Sequence, residues 1–438
     1  MLTRRRTAVV ALLAALAIGL GACGGSTSGG STAGGQGSGM QPAQQTVTLR
    51  LLTMKQAAYS DQDVQAMAKG FEETHPGVQV DITFVPYESL HDKITADQAS
   101  GSGVYDVVLI DGMWTGEFAR AGFIRDVTDR WTPAMQSGIF ESSKDIVRFN
   151  GRLYGVPWIN DTKFLFYNKQ MLAQAGIQQP PKTWEELLAD ARLLKQKGIV
   201  QYPIAWSWAQ AEAVICDFGQ LMFSEGGHFL DEKNQPAFQT DGGLQALQFM
   251  VQTLKDGLSN PHSISYLEDD VRQVFSQGQA AFALNWTYMY ALANDPKQSK
   301  VAGQVGVVPT PAFSGKPAVG INGGMGLAIT KSSAHPDLAW QLIETMSSEP
   351  VENKYAALSL PIWKDSYQQQ SVIATGPELV QAAESQFARM ESRPNVPWYN
   401  QMSTELQKDI QSALLMQATP QQALQRAADF TRQLAQQQ

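Results

Sequence analysis

Carboxylates and amides stand beside aromatic residues at three places in this chain, and such neighbours do one kind of chemistry well. Asp111 is followed by Trp114, Trp206 and Trp208 by Gln210 and Glu212, and Asn285 by Trp286 and Tyr288. A hydroxyl group both donates and accepts, so a hydroxyl-rich ligand needs planar polar side chains around its rim. The C–H faces of a sugar ring are apolar and pack on indole or phenol. The pattern therefore suits noncovalent capture of a polyhydroxylated ring. Plainer roles compete at each place: Asp111 as a helix N-cap, one of Trp206 and Trp208 as core, and Trp286 as core packing.

Other chemistries find less support. The five histidines (His75, His91, His228, His262 and His335) are scattered, with no HExxH and no i, i+4 pair, which argues against a metal site. Gly323-Gly324-Met325-Gly326 lacks a strand-to-helix phosphate loop and a Gly-Lys-Ser, so neither nucleotide nor other cofactor is expected. Cys216, within Ala213-Val214-Ile215-Cys216, reads as a small core residue with no local base to activate it. No catalytic residues are assigned. The main rival from another class is a secreted glycosidase, which pairs carboxylates roughly 5–9.5 Å apart. Asp111, Asp161 and Glu212 are the acids that would have to supply that pair.

The elements that must position these residues are read from apolar periodicity. Val47 to Leu52 is a β-type run. Ser60 opens a helix with Val64, Met67, Ala68 and Phe71 on one face, and His75-Pro76-Gly77 ends it. Val78, Val80, Ile82 and Phe84 then alternate as a half-buried strand, completing a βαβ unit that predicts a parallel sheet. Asp106 to Ile110 is a run suited to a strand covered on both faces. Thr183-Trp184-Glu185-Glu186 is a capping box opening a helix with Leu187, Leu188, Ala191 and Leu194. A further helix carries Leu244, Leu247, Val251 and Leu254, and strands are predicted at Ala280 to Leu284 and Val305 to Val308. Helices dominate from Pro336 onward, the last starting at Thr419-Pro420. Trp184 and Trp340 fall at helical core spacing.

The first 45 residues read differently. Arg4, Arg5 and Arg6 precede an apolar stretch from Ala8 to Leu20, the form of an export leader. Leu20-Gly21-Ala22-Cys23 has the form of a lipobox, which makes Cys23 the expected lipidation site. Residues 24–39 are nearly all Gly, Ser, Thr, Ala and Gln, a tether unable to bury a core. The chain is thus expected to be exported and lipid-anchored at the outer face of the cell membrane, or on the periplasmic side. Loss of the three arginines takes the net charge from −8 to −11, which argues against nucleic acid as a partner. From Thr46 the chain is too long for one compact core and suits two lobes.

Four segments carry a resemblance: Phe71 to Val78, Tyr105 to Trp114, Gly151 to Trp158 continuing to Phe166-Tyr167-Asn168, and Pro181 to Leu187. In their order and spacing the chain resembles the extracellular solute-binding proteins of carbohydrate ABC importers, the maltose/trehalose-binding group in particular. That resemblance implies an α/β, two-lobed periplasmic-binding-protein-like fold with a three-segment hinge and ligand in the interlobe cleft. Crossings would fall near 158–162, 320–324 and 358–362. The implied parts are a leader at 1–22, a tether at 23–45, an N-lobe of 46–160 plus 325–358, and a C-lobe of 161–324 plus 359–438.

The resemblance also extends the list of site residues. It places Asp111 as an acceptor of sugar hydroxyls and Asp161 on a ligand-binding position, with Asn160 beside Asp161 on the first crossing. It makes Trp286 a stacking wall and Asn322, Gly323 and Gly324 a hinge segment whose backbone nears the ligand. Arg393 matches a ligand-contacting arginine, with a surface role as the plainer alternative, and Gln56 is a weaker candidate. Met325 stands where the family often has Trp, a departure that bears on which sugar fits. Implied partners are a small-molecule sugar and permease subunits driven by a cytoplasmic ATPase, with the protein acting as a monomer. A polyamine would share acids and aromatics and is the nearest rival ligand.

Overall fold

The computed structural model describes residues 46–55 and 58–437. The expected leader, Cys23, the tether and Gln56 lie outside the described residues. Two sheets organise the rest. The first has five strands in the order Val78–Val85, Val47–Met54, Val107–Asp111, Met325–Ile329 and Val156–Ile159. The second has four, in the order Val305–Pro309, Phe164–Asn168, Phe282–Asn285 and Ile204–Ala205. With helices packed on each, the result is a two-lobed α/β fold.

Local chemistry explains the first lobe's opening unit. Ser60 Oγ accepts the Asp63 N–H at 3.1 Å and the Asp63 carboxylate reaches back to the Ser60 N–H, a capping box that starts the helix Asp61–Thr74. Val64, Met67, Ala68 and Phe71, the residues of its apolar period, are the four it buries. Gly77 takes φ +88°, a conformation that a Cβ opposes, and turns the chain into Val78–Val85. Val107–Asp111 is buried at every position because both faces of the sheet are covered.

The three strands nearest the start of the described chain are parallel, as the βαβ pattern predicts. Met325–Ile329 is not: it runs antiparallel to both Val107–Asp111 and Val156–Ile159. It arrives from the second sheet instead of through a helical crossover on the first, so nothing requires it to be parallel.

The chain passes between the sheets three times. Residues 160–163 join Val156–Ile159 to Phe164–Asn168, and residues 310–324 lead from Val305–Pro309 back to Met325–Ile329. The third passage lies between Pro336–Met346, packed on the first sheet, and Pro377–Phe387, packed on the second. Isolated antiparallel bridges tie the passages together, Asn160 with Leu360 and Thr162 with Asn322. The last two helices, Tyr399–Leu414 and Pro420–Gln436, pack on each other and on the second lobe's Glu212–Ser224 and Asp241–Lys255. Trp184 and Trp340 are core residues, as their helical spacing predicts. No helix among the described residues is long and apolar enough to cross a membrane.

Candidate functional site

A cleft of about 420 Å³ lies between the lobes. Its first-lobe wall is made by strand ends and the residues just beyond them: Met54, Lys55, Pro86, Tyr87, Asp111, Ile159 and Met325. The carboxyl ends of parallel strands are where α/β sheets leave a crevice. Met325 pairs with Asp111 on one side and Ile159 on the other, so these three form one row along the sheet's edge. The second-lobe wall uses two helix starts, Ala211 to Ala213 with Cys216, and Leu267 to Asp269. Carboxylates in a helix's first turn are stabilised by its partial positive charge, which favours Glu212 and Glu268 where they stand.

Arg393 bridges the two walls. Its Nη1 donates to Glu212 Oε1 at 2.8 Å and its Nη2 to Asp111 Oδ1 at 3.1 Å. One carboxylate belongs to each lobe, so the guanidinium spans the interlobe cleft. Glu212 also accepts from Ser403 Oγ at 2.6 Å and from the Tyr399 hydroxyl, and Asp111 accepts from Tyr87 Oη at 2.8 Å. The short turn Gly112–Trp114 takes no capping bond from the Asp111 side chain. Burial raises the Asp111 pKa, and the Arg393 charge pulls it the other way.

Asp161 sits on the first passage between the sheets. Its Oδ1 accepts from Thr162 N at 2.9 Å, Thr287 N at 3.1 Å and Thr287 Oγ1 at 2.6 Å. With three donors on one oxygen, Oδ2 makes no hydrogen bond among the described residues. Burial lifts this carboxyl to about 7 against the pull of those donors. Trp286, just past Phe282–Asn285, is half-buried and is the one tryptophan bordering the cleft among the described residues. Its Nε1 donates to Glu268 Oε1 at 3.2 Å, and its ring lies against Gly323, where any Cβ would collide with it.

Of the residues singled out from sequence, Asp111, Asp161, Glu212, Trp286, Tyr288, Gly323 and Arg393 line the cleft. Trp206 and Trp208 do not: both are fully buried in the second lobe, stacked at 5.2 Å, with Trp206 Nε1 donating to Ser259 Oγ. Their segment, Ile204 to Trp208, is covered on both faces, so the close spacing of polar and aromatic residues there reflects core. Gln210 is exposed and borders nothing in the cleft. Trp114 is buried against Tyr87 and His91 of the helix Tyr87–Ser100.

Four others hold the frame and do not line the cleft. Asn160 is bonded to Ser143 Oγ at 3.0 Å and to the Pro361 carbonyl at 3.2 Å, joining two of the passages. Asn285 accepts the Trp286 N–H and donates to the Glu268 carbonyl, both at 2.8 Å. Asn322 donates to the Ser142 carbonyl at 2.9 Å, and Gly324 permits an approach to Ile146 that a side chain would block. Cys216 borders the cleft, its thiol pushed up to about 12 by burial. Sequence reasoning missed Tyr87, Glu268 and Asp269. Tyr87 lies two residues past the end of Val78–Val85, and the strand-end rule that singled out Asp111, applied there, would have found it.

Two α/β lobes joined by three tied passages, with a carboxylate-rimmed cleft between them, define a bilobal solute binder. The chain belongs to the bacterial extracellular solute-binding protein family, whose model matches residues 57–353. It is 26% identical over 382 residues to a "Probable ABC transporter-binding protein" of Deinococcus radiodurans, covering 82% of this chain and 89% of that one. Maltose-bound T. maritima MalE3 superposes with a TM-score of 0.83 at 28% identity, covering 89% of this chain and all of the other. A solute-binding protein of Thermotoga lettingae bound with α-D-tagatose gives 0.79 at 27% identity, with the same two coverages. The chain is therefore a solute-binding protein and not an enzyme, which sets aside the glycosidase alternative.

Proposed function

We propose that the protein captures a disaccharide or small oligosaccharide, trehalose- or maltose-like, by lobe closure, and hands it to the permease of an ABC importer. The observation that carries this reading is Trp286: an indole held in a fixed orientation at a cleft wall whose other members include Asp111, Asp161, Glu212 and Glu268. A sugar ring would stack on the indole while its hydroxyls donate to the carboxylates. The cleft volume falls in the lower part of the ~300–1,000 Å³ range of small-molecule sites. MalE3 holding maltose, at 28% identity, supports a sugar of two rings. The lipobox ending at Cys23 supports delivery from a lipid anchor at the outer face of the membrane.

A second reading has an observation of its own. Among the described residues, Glu88, Asp111, Asp161, Glu212, Glu268 and Asp269 face only Lys55 and Arg393 as cations on the cleft wall, a balance that would also suit a polyamine. Arg393 in that wall weighs against it. Thermal unfolding of residues 46–438 with trehalose, maltose, maltotriose, mannitol and spermidine decides the matter. A bound ligand at a hundredfold excess over Kd adds ~2.7 kcal/mol to stability. The expected result is a rise in Tm with a disaccharide, lost in Trp286→Ala; a rise with spermidine alone overturns the sugar assignment.

A further inference from the structure

The second lobe holds a cation set back from the cleft lining. Lys163 is wholly buried and does not border the cleft. Its Nζ donates to Ser207 Oγ at 2.8 Å and pairs with the Asp217 carboxylate, itself wholly buried. Glu268 Oε1 is 3.5 Å away, and the centroid of the Trp286 ring is 5.0 Å away. Burial pushes the Lys163 pKa down, but the charges of Asp217 and Glu268 outweigh it, so the ammonium stays charged.

The strand register explains this placement. Phe164 pairs with Asn285 at the end of the antiparallel ladder, so Lys163 and Trp286 are the residues that leave it side by side. The Asp161 carboxylate, which accepts from both Thr287 N and Thr287 Oγ1, fastens that end of the ladder. Since Lys163 does not reach the cleft, the indole face it covers is the one turned away from it. Glu268 then links both parts, taking the Trp286 N–H and lying beside the Lys163 ammonium.

A buried ion pair is a costly way to fill space, since a hydrophobic pair of similar volume usually does as well or better for stability. A cation over an aromatic face, by contrast, attracts the ring's quadrupole and resists its rotation. Gly323 on the hinge adds the remaining contact, its missing Cβ making room for the ring.

We propose that Lys163 is a positioning residue for ligand binding: its ammonium, neutralised by Asp217, fixes the ring plane of Trp286 from the side away from the cleft. The inference rests on the cleft reading above, in which Trp286 is the stacking wall. It assigns the Asp161-Thr162-Lys163 tripeptide two separate tasks, an acceptor facing the cleft and an orienting charge behind the aromatic wall.

The test removes both charges together, so that no lone carboxylate is left buried. Lys163→Met/Asp217→Asn is compared with Lys163→Arg, which keeps a cation, in 5-fluorotryptophan-labelled protein. The Trp286 fluorine line is assigned by its loss in Trp286→Phe. The expected result is a sharp line in the parent and in Lys163→Arg that broadens or splits in the neutralised pair. An unchanged line in the neutralised pair, or a broadened one in a folded Lys163→Arg, overturns the proposal.

Affinity supplies an independent arm, measured with whichever of maltose and trehalose raises the Tm. The neutralised pair should bind about tenfold more weakly, and should lose nothing further when Trp286→Ala is already present. Losses that simply add would show that Lys163 acts elsewhere and would overturn the proposal. Unimpaired binding in Trp286→Ala alone would sink the stacking reading of the cleft, while the fluorine line still decides whether Lys163 orients the ring.

Discussion

Arg393→Met tests the idea that one guanidinium reconciles two carboxylates from different lobes. Arg393 and Asp111 are both more than nine-tenths buried, and Glu212 stands at 2.8 Å on the other side. Methionine fills much of the arginine stem's volume while removing the charge. What remains is a pair of desolvated acids with no cation between them. Breaking a buried ion pair from one side costs about 3–5 kcal/mol, chiefly as the penalty of the stranded charge. Tyr87, Tyr399 and Ser403 still donate to these acids, so the lower end, about 3 kcal/mol, is expected.

The assay is urea unfolding of parent and variant at pH 7.5 and pH 5. Burial already holds the Asp111 pKa above its usual value, and Arg393 is what pulls it down. Without Arg393 it rises further above the unfolded value of about 3.9. An acid whose folded pKa is raised is most stabilising below its unfolded pKa and loses that contribution as pH climbs through the folded one. The variant's deficit should therefore be largest at pH 7.5 and shrink toward pH 5. Adding Asp111→Asn should recover much of it at pH 7.5. A deficit under about 1 kcal/mol at pH 7.5, or one insensitive to acidification, would refute the reasoning.

Two other outcomes rest on particular contacts. In Gly323→Ala the new Cβ would stand 2.6 Å from Trp286 Cη2, so the ring must retreat by about 1 Å. Stability should fall by about 1–3 kcal/mol and the Tm shift with disaccharide should diminish; unchanged binding would mean the ring's exact seat is immaterial. Glu352 is wholly buried, with Oε2 accepting the Ile362 N–H at 2.8 Å and Oε1 unpartnered among the described residues. Burial holds its pKa well above the usual range, so its contribution wanes as pH rises above about 4.3. Glu352→Gln should gain stability relative to the parent between pH 4.5 and pH 8 by urea unfolding; a difference that stays flat with pH would show the carboxyl is not held neutral.

Local patterns carried most of the fold. Helix starts at Ser60, Thr183 and Thr419 were legible in local signals, an apolar period after Ser60, a capping box at Thr183 and Pro420 at the first helical position, and all three helices form. Strand ends were legible as well, and with them Asp111 and Trp286, because both lie within two residues of an apolar run's end. Where only nearness in sequence was available, the inference failed. Trp114 lies three residues beyond Ile110's neighbour Asp111, far enough for the turn Gly112–Trp114 to carry it under the helix Tyr87–Ser100. The antiparallel course of Met325–Ile329 was also invisible, since nothing local to a strand records which sheet it has come from.

The cleft's polar logic depends on pairings that no local rule reaches. Arg393 meets Asp111 across 282 positions, and only the resemblance to a family brought it onto the list of site residues. Lys163 shows what a single long-range register adds. As sequence it is an ordinary charged residue after Asp161-Thr162, and solvation is its natural reading. Once Phe164 is paired with Asn285 at the end of the antiparallel ladder, Lys163 and Trp286 leave it side by side, with the ammonium 5.0 Å from the ring centroid. The charge cannot then reach water, so it must find its counterion within the lobe, and Asp217 is that counterion. An aromatic wall backed by a neutralised cation is thus a consequence of register: a one-residue slip would turn Lys163 to the opposite face and leave Trp286 without it.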